Sequence, residues 1–304
     1  MYGDLLDSFH GLKVIEFNAA DDWKGPKYAY RLREEYDDEL KITDRLDDLL
    51  KQPGATQLTA LIIGAWTEAS GGDDSAPLVK KLSEVASQLP GLRALFMGEM
   101  TYEESEVSWI NQSDLSPLLM AFPRLETLRI RGGNGLSFSP VEQSSLKEIA
   151  IETGGLPRSA IRELFLCQFP GLEHVELLLG EEQYGFDGSV EDLQPILSGK
   201  LYPNLKYLGL MNSAIANDIA AVVVNSPIVS RIETLDLSMG NLDSEGAQSL
   251  LGLAAYPQLK RLDISHHYAS EESVAELTTA LKCEVIAADR QEPEDEWRPI
   301  VHAE

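Results

Sequence analysis

One stretch, "FPRLETLRI" (residues 122–130), decides the fold because it returns three more times along the chain. The other copies are "FPGLEHVEL" (169–177), "YPNLKYLGL" (202–210) and "YPQLKRLDI" (256–264). Each joins an aromatic residue and a proline to the skeleton LxxLxL. The alternating apolar positions predict a short strand with one buried face. Proline lacks a backbone donor and disfavours helix in the residue before it, so each copy predicts a helix end followed by a strand.

The same skeleton recurs without the aromatic-proline pair. These copies are "LTALII" from Leu58, "LRALFM" from Leu92, "LKEIAI" from Leu146, "IETLDL" from Ile232 and a degenerate "CEVIAA" from Cys283. Helix-like segments lie between the strands: "APLVKKLSEVASQL", "SDLSPLLMAF", "NDIAAVVVNS", "DSEGAQSLLGLAAY" and "SEESVAELTTAL". Self-similarity at this period indicates a repeat protein in which each unit buries its apolar face against its neighbours.

The segment "LDLSMGNLDSEGAQSLL" (235–251) resembles, in order, the strand, turn and helix of leucine-rich repeat proteins of the ribonuclease-inhibitor type. The resemblance extends over residues 58–288. It implies an α/β leucine-rich repeat solenoid, a horseshoe with a parallel sheet on its concave side and mostly helices on its convex side. The asparagine usual in the turns of that class is missing, and repeat lengths are irregular.

Residues 1–57 are predicted to cap the first repeat, because a solenoid exposes an apolar end unless it is covered. "LKVIEF" (12–17) and "YAYRLR" (28–33) read as strands around a polar loop. A following amphipathic helix places four leucines toward one side. They are Leu40, Leu46, Leu49 and Leu50. The acidic tail, residues 289–304, is expected to cover the other end or to be loose.

Two local features are predicted from the repeat register. The step from Leu125 to Leu146 is too short for strand, turn and helix, so "GGNGLSFSPVEQSS" should cross as a loop, with Phe138 and Val141 filling the space beneath it. The residue after the first leucine of successive copies alternates in charge, and stacked opposite charges attract. This predicted ion-pair ladder is Arg93, Glu126, Lys147, Glu173, Lys206, Glu233 and Lys260.

The composition excludes several classes of function. The net charge is −25 with a pI near 4.5, which argues against nucleic-acid phosphates and anionic membranes as ligands. Cys167 and Cys283 lie far apart and form no CxxC pair, so we expect neither a disulfide nor a zinc site. This cysteine usage favours a cytoplasmic location. No apolar run is long enough for a transmembrane helix, and no signal peptide is expected.

No cofactor or catalytic motif is predicted: GxSxG, HExxH and Walker patterns are all missing from the sequence. "HHY" (266–268) is a weak metal candidate, since no third ligand stands at useful spacing. An arginine-assisted GTPase activator, with Arg129 and Arg131 on the concave face, is one alternative. A regulatory subunit of an enzyme is another. The sequence favours a non-catalytic module that binds another protein.

Two surfaces are candidates for a protein partner. The concave face is the default for this fold. The second is a rim of three insertions after strands, "WTEASGGDDSA", "GEMTYEESEVSW" and "GEEQYGFDG", which carry aromatic and acidic residues without Lys or Arg. Such a rim favours a basic partner. Pinned loops with solvated acids, or a calcium site, are the alternatives. The predicted concave residues are Arg129, Arg131, Glu152, Glu176, Tyr207, Asp236 and Asp263. The predicted rim residues are Trp66, Glu68, Asp73, Asp74, Tyr102, Glu103, Glu104, Trp109, Glu181, Glu182 and Tyr184.

A narrower resemblance rests on "LFMGEMTYEESEVSWINQSDLSPLL" (95–119) and "QEPEDEWRP" (291–299). These segments resemble a family of bacterial cytoplasmic leucine-rich repeat proteins whose genes often neighbour enzymes of the radical-SAM and ATP-grasp types. The resemblance implies a helper protein for an enzyme that is encoded nearby.

Overall fold

The fold is known from a computed structural model, which describes residues 4–34, 39–66, 72–293, 295 and 297–302. The chain divides into two compact units. The first comprises Met1–Glu152 and Leu166–Phe169, and the second comprises Thr153–Phe165 and Pro170–Glu304. Each unit is built from strands that lie side by side in chain order, with helices in the connections.

The first unit contains strands β1–β7 and helices α1–α3. The strands are β1 Ser8–Phe9, β2 Leu12–Glu16, β3 Ala29–Leu32, β4 Ala60–Ile63, β5 Ala94–Met97, β6 Thr127–Arg131 and β7 Glu148–Glu152. The helices are α1 Ile42–Leu50, α2 Ala76–Val85 and α3 Ser116–Ala121. Neighbouring strands from β2 to β7 pair in parallel, and β1 pairs antiparallel with β2.

The second unit repeats the same arrangement. Its strands are β8 His174–Gly180, β9 Tyr207–Ser213, β10 Thr234–Asp236, β11 Arg261–Asp263 and β12 Glu284–Ile286. Its helices are α4 Arg158–Leu164, α5 Gln194–Leu197, α6 Ala216–Val223, α7 Ser244–Leu250 and α8 Glu271–Ala280. All strand pairs from β8 to β12 are parallel. This is the α/β leucine-rich repeat fold that the sequence predicted.

The repeated leucines form the core, as their spacing predicted. Leu125, Leu128 and Ile130 of one copy are fully buried, and Leu128 pairs in register with the equivalent Ile149 of the next strand. The aromatic residue before each proline follows a helix end and packs inward. Phe122, Phe169 and Tyr202 are at most 2% exposed, whereas Tyr256 is half-buried. The face of each sheet opposite the helices is called here the helix-free face.

The short step between β6 and β7 is a loop, as predicted. Phe138 is buried beneath it, while Val141 is only half-buried. No helix fills this connection, and the side chain of Gln143 instead bonds backbone groups on both sides of the loop. The sequence did not suggest this role. Its buried amide donates to the carbonyl of Leu125 at 2.9 Å and accepts from the N–H of Leu146 at 2.8 Å.

The predicted charge ladder forms ion pairs in both units. In the first, one oxygen of the Glu126 carboxylate lies 3.4 Å from Arg93 and the other lies 2.7 Å from Lys147. In the second, Lys206 pairs with Glu173 at 2.6 Å. The hydrogen bond from Lys147 holds the pKa of the Glu126 carboxyl below its usual range. These side chains stack because their strands are parallel and in register.

The N-terminal segment differs from the predicted cap in two ways. Its strands β2 and β3 extend the parallel sheet of the repeats, and they are preceded by a short strand, β1, that was not predicted. Leu46 and Leu49 are buried in α1 as predicted, and Leu50 is half-buried. Leu40 was placed wrongly: it precedes the helix and is 45% exposed.

The tail contacts its own unit through the described residues 297–302. These run along the end of β9 and the turns that follow β10 and β11, where the N–H of Val301 donates to the carbonyl of Met239 at 3.1 Å. Among the helices in the described part of the chain, none combines the length and apolar character needed to cross a membrane.

Candidate interaction surfaces

The helix-free face of the first unit is covered by the chain's own N-terminal segment. Phe9 packs with Ala60, Ile62 and Phe96, and its ring centre lies 6.1 Å from that of Phe96. Leu6 is partly buried in the same cluster. Small and apolar residues on these strands therefore serve internal packing. The apolar part of this face is therefore covered by the chain itself in the first unit.

Charged residues on this face are buried in ion pairs. Arg131 is 3% exposed and Glu152 is 4% exposed, with Nε of the arginine 2.8 Å from the carboxylate. Arg129 approaches the same carboxylate at 3.3 Å, and both guanidinium groups lie near the Phe96 ring. Arg131 also donates to the carbonyl of Met100 at 2.5 Å. This arrangement holds the end of β6 and engages both guanidinium groups in ion pairs within the unit.

A second buried ion pair holds the N-terminal segment through hydrogen bonds to the backbone of Leu6. Arg31 donates to Glu99 at 2.5 and 3.0 Å. The Glu99 carboxylate accepts from the N–H of Leu6 at 2.6 Å, and Arg31 donates to the carbonyl of Leu6 at 2.7 Å. From the sequence, Glu99 is one of the acids of the insertion "GEMTYEESEVSW" in the proposed rim. Only its contact with an arginine far away in the chain identifies it as structural.

The helix-free face of the second unit carries a polar cluster. The rings of His174 and Tyr207 stack with centres 3.9 Å apart, and His174 Nε2 lies 3.3 Å from Glu176. The Tyr207 hydroxyl donates to Asp236 at 2.6 Å. Asp263 on the next strand pairs with Arg261 at 3.3 Å. Glu176, Asp236 and Asp263 are each at most 9% exposed, so this cluster offers rings rather than carboxylates to solvent.

The protonation of Asp236 should affect stability. Burial raises the pKa of this carboxyl above its usual 3.8, although Ser238 and Tyr207 donate hydrogen bonds to it and Asp263 adds to the rise. Asp236 therefore contributes stability below pH 3.8, and this contribution is lost as pH rises through its folded pKa. Relative to Asp236→Asn, the wild-type chain should lose stability over that window. Urea unfolding of both chains from pH 3 to 7 measures the difference, and parallel curves would contradict the assignment.

The insertion after β4 does not present its aromatic residue. Trp66 is 6% exposed, and its indole N–H donates to the carbonyl of Asp73 at 3.2 Å. Asp73 and Asp74 are exposed, and Asp74 accepts from the N–H of Ala76 at 2.8 Å at the start of α2. Glu68 lies outside the described residues. Trp66 pins this insertion, which is the alternative the sequence left open.

The insertion after β5, residues 98–110, does present aromatic residues. Tyr102 is 62% exposed and Trp109 is 55% exposed. Glu103 is exposed as well, and the indole N–H of Trp109 donates to Glu106 at 2.9 Å. Glu104 has a different role from the one predicted. It accepts from the backbone N–H of Thr101 at 2.8 Å and shapes the turn.

The insertion after β8, residues 181–187, mixes exposed and half-buried groups. Glu182 is exposed, whereas Glu181 and Tyr184 are half-buried. Burial raises the pKa of the Glu181 carboxyl. Phe186 is 5% exposed, and the exposed Asp187 accepts from the N–H of Arg158 at 2.7 Å. Only Phe186 is buried in this insertion, so it is the residue that packs into the unit, while Glu182 and Asp187 remain exposed.

The structure brings together no metal site among the residues it describes: no three His, Cys, Asp or Glu side chains converge there. His267, a candidate in the sequence, is 1% exposed. Its ring accepts from the N–H of Ala269 at 3.1 Å and lies 3.3 Å from the carbonyl of Ala287, which makes it part of a turn.

Strand order, repeat register and surface geometry together define a protein of the leucine-rich repeat class, whose fold commonly serves protein–protein interaction. No protein-family model matches the chain, and no curated protein matches it either. A solved structure of a Bacteroides fragilis protein, determined as a target of the Northeast Structural Genomics Consortium, is 32% identical. The match covers 90% of this chain and 76% of that chain, with a TM-score of 0.81. This chain belongs to the same family as that Bacteroides fragilis protein.

A second similar structure is TLR13 in complex with ssRNA13, at 16% identity over 94% of this chain and 39% of that chain. Its TM-score of 0.40 is too low to carry an argument about this protein.

Proposed function

We propose that this protein is a non-catalytic interaction module that binds a basic protein partner through the insertion after β5. One observation carries the proposal: Tyr102 and Trp109 are more than half exposed within one short insertion. Large aromatic side chains in that setting are typical of interface anchors, since they bury much area at little cost in conformational entropy. The core of the fold does not need them there.

The insertion is held in shape before any partner arrives. Glu104 bonds the N–H and hydroxyl of Thr101 at 2.8 and 3.0 Å and pairs with Arg33 at 3.2 Å. Arg131 donates to the carbonyl of Met100. A rigid display lowers the ordering cost of binding, which supports this insertion as the contact surface.

The negative charge of the chain supports a basic partner. The chain carries 50 acidic and 25 basic residues, and Glu103 and Glu106 lie between the two exposed aromatic residues in sequence. Complementary charge accelerates encounter and selects partners. An enzyme encoded nearby, with a basic face, is the partner that we propose. A regulatory role on that enzyme would use the same surface.

Trp109→Ala or Tyr102→Ala should weaken partner binding by about tenfold or more, because truncating an anchor typically costs on the order of 2 kcal/mol. Folding should be unaffected, since both side chains are exposed. The measurement is quantitative capture from extracts of native cells, followed by the dissociation constant of the purified partner. Met120→Ala is the matched control, because this α3 residue is also 62% exposed.

Charge reversal provides an independent readout. Glu103→Lys should slow association and flatten its salt dependence, whereas Glu276→Lys on α8 changes net charge equally at another exposed position and should have little effect. Glu104 and Glu181 are unsuitable for this test because they are partly buried and structural. Capture that is unchanged by Trp109→Ala, or an acidic partner surface, would reject the proposal.

A further inference from the structure

The terminal segment 297–302 occupies a built site in the second unit. The site consists of the end of β9 and the turns that follow β10 and β11. Each of these three places has one residue in the left-handed region: Asn212 at φ 49°, Met239 at φ 68° and His266 at φ 57°. The N–H of Asn212 bonds the carbonyl of Ser238 at 2.9 Å, and that of Met239 bonds Ser265 at 2.7 Å. The turns therefore stack into a row beside which an extended chain can lie.

The row holds the segment by its backbone. The Asn212 side chain accepts from the N–H of His302 at 2.9 Å and donates to the carbonyl of the same residue at 2.6 Å. The N–H of Val301 donates to the carbonyl of Met239 at 3.1 Å. These bonds have the character of strand addition, in which main-chain contacts supply affinity without reading the sequence.

A further pair of contacts holds the backbone at position 299. The Tyr268 hydroxyl donates to the carbonyl of Pro299 at 2.7 Å, and His266 Nε2 lies 3.3 Å from the same oxygen. Three of the four residues from 299 to 302 are therefore recognised through peptide groups that any extended segment carries.

Within the described segment 297–302, the side chains at 298 and 300 are held by the unit, and His302 is half-buried. Arg298 forms an ion pair with Asp243, the residue that caps α7, and Ile300 is 6% exposed. Val301 and Trp297 point outward, at 41% and 56% exposure. The site therefore selects a peptide that has a basic residue, then one residue of any type, then an aliphatic residue that becomes buried.

We propose that this row of turns is a receptor for an extended peptide of a partner protein, and that residues 297–302 are its resident, displaceable occupant. The partner segment carries a basic residue two positions before an aliphatic one. The resident segment competes with the partner peptide at a high effective concentration, because it is tethered to the same chain. A partner peptide must therefore bind tightly enough to displace it. This site does not depend on the insertion after β5, and the variants at Tyr102 and Trp109 do not test it.

The experiment uses the full chain with a protease site inserted between residues 293 and 294, cut after purification. The probe is a fluorescent peptide of residues 297–304, "WRPIVHAE", followed by anisotropy. Saturable binding of one peptide per cut chain is expected, with at least tenfold weaker binding to the uncut chain. Failure of the peptide to exchange with the fragment in the cut chain would overturn displaceability, and therefore the proposal.

Receptor variants test the contacts. Asn212→Gly keeps the left-handed backbone without strain. It removes the two hydrogen bonds to His302, together with one of 3.5 Å to the carbonyl of Thr153, so the dissociation constant should rise about tenfold or more. Asp243→Asn keeps a capping residue and should weaken the normal peptide several-fold, but not a peptide with Arg298→Ala. A peptide with Ile300→Asp should not bind. Asn204→Ala is the control, since this amide donates to the Pro170 carbonyl at 2.8 Å away from the segment. Equal affinity of Asn212→Gly and wild type would overturn the proposal.

Discussion

A Gly180→Ala chain should lose at least about 4 kcal/mol of stability, so that its second unit is largely unfolded at ordinary temperature. Gly180 ends β8 with φ at 80°, where a Cβ is strained. A Cβ there would also overlap the backbone carbonyl of Gly154. The two segments cannot separate freely, because Glu181 N–H bonds Gly154 at 2.9 Å and Leu156 N–H bonds Leu179 at 2.8 Å.

Gly199→Ala separates the two causes. Gly199 belongs to the same unit and has φ at 71°, but the nearest atom to an added Cβ lies 3.4 Å away. This variant should cost only about 1 kcal/mol from backbone strain. Urea unfolding followed by circular dichroism compares both variants with wild type. Similar midpoints for Gly180→Ala and Gly199→Ala would show that the close approach at Gly180 is absent.

Glu99→Met should destabilise the first unit by about 3–5 kcal/mol, because it leaves the Arg31 guanidinium buried without its partner. Arg31→Met should have a similar effect, since Glu99 is fully buried. The double variant should recover a large part of the loss, as apolar side chains of similar volume replace the pair. It should not recover all of it, because Leu6 loses the two bonds that hold its backbone.

A double-mutant cycle from denaturant midpoints measures this coupling, and hydrogen exchange of residues 4–10 reports whether the helix-free face becomes uncovered. Lys260→Met is the control. Lys260 pairs with Glu233 at 2.7 Å, but its side chain is 69% exposed, and its loss should barely move the midpoint. Additive single effects at Arg31 and Glu99 would contradict the assignment of a buried, mutually dependent pair.

Local patterns predicted the repeat well because its signals are short-range. The skeleton around Leu125 gave β6 and its buried face, and the aromatic-proline pair gave the end of α3. Helices α4 and α5 were missed, since Arg158–Leu164 and Gln194–Leu197 have seven and four residues and show little periodicity. The amphipathic helix predicted over 37–54 has Leu46 and Leu49 buried as expected, but Leu40 lies before the first turn of α1.

The candidate surfaces were predictable only in part. Position after a strand identified the insertion that carries Tyr102 and Trp109. The same reasoning counted both Trp66 and Glu104 as partner-binding residues, although Trp66 is buried and Glu104 accepts a hydrogen bond from Thr101. Composition cannot make that distinction, because an aromatic or acidic residue in a loop has the same letter whether it faces the core or the solvent.

The sequence by itself determined the repeat, the register of its strands and the alternating charges, because these depend on spacings within one unit and on its identical neighbours. Only the tertiary structure decided which faces are open. The N-terminal segment reaches the face near Phe96, and residues 297–302 reach the turn at Asn212 from 90 positions away. Such contacts leave no local pattern in the sequence, because they join residues that are far apart along the chain. They are made by backbone atoms, by the Phe9 ring, and by charged side chains that would be solvated in another setting.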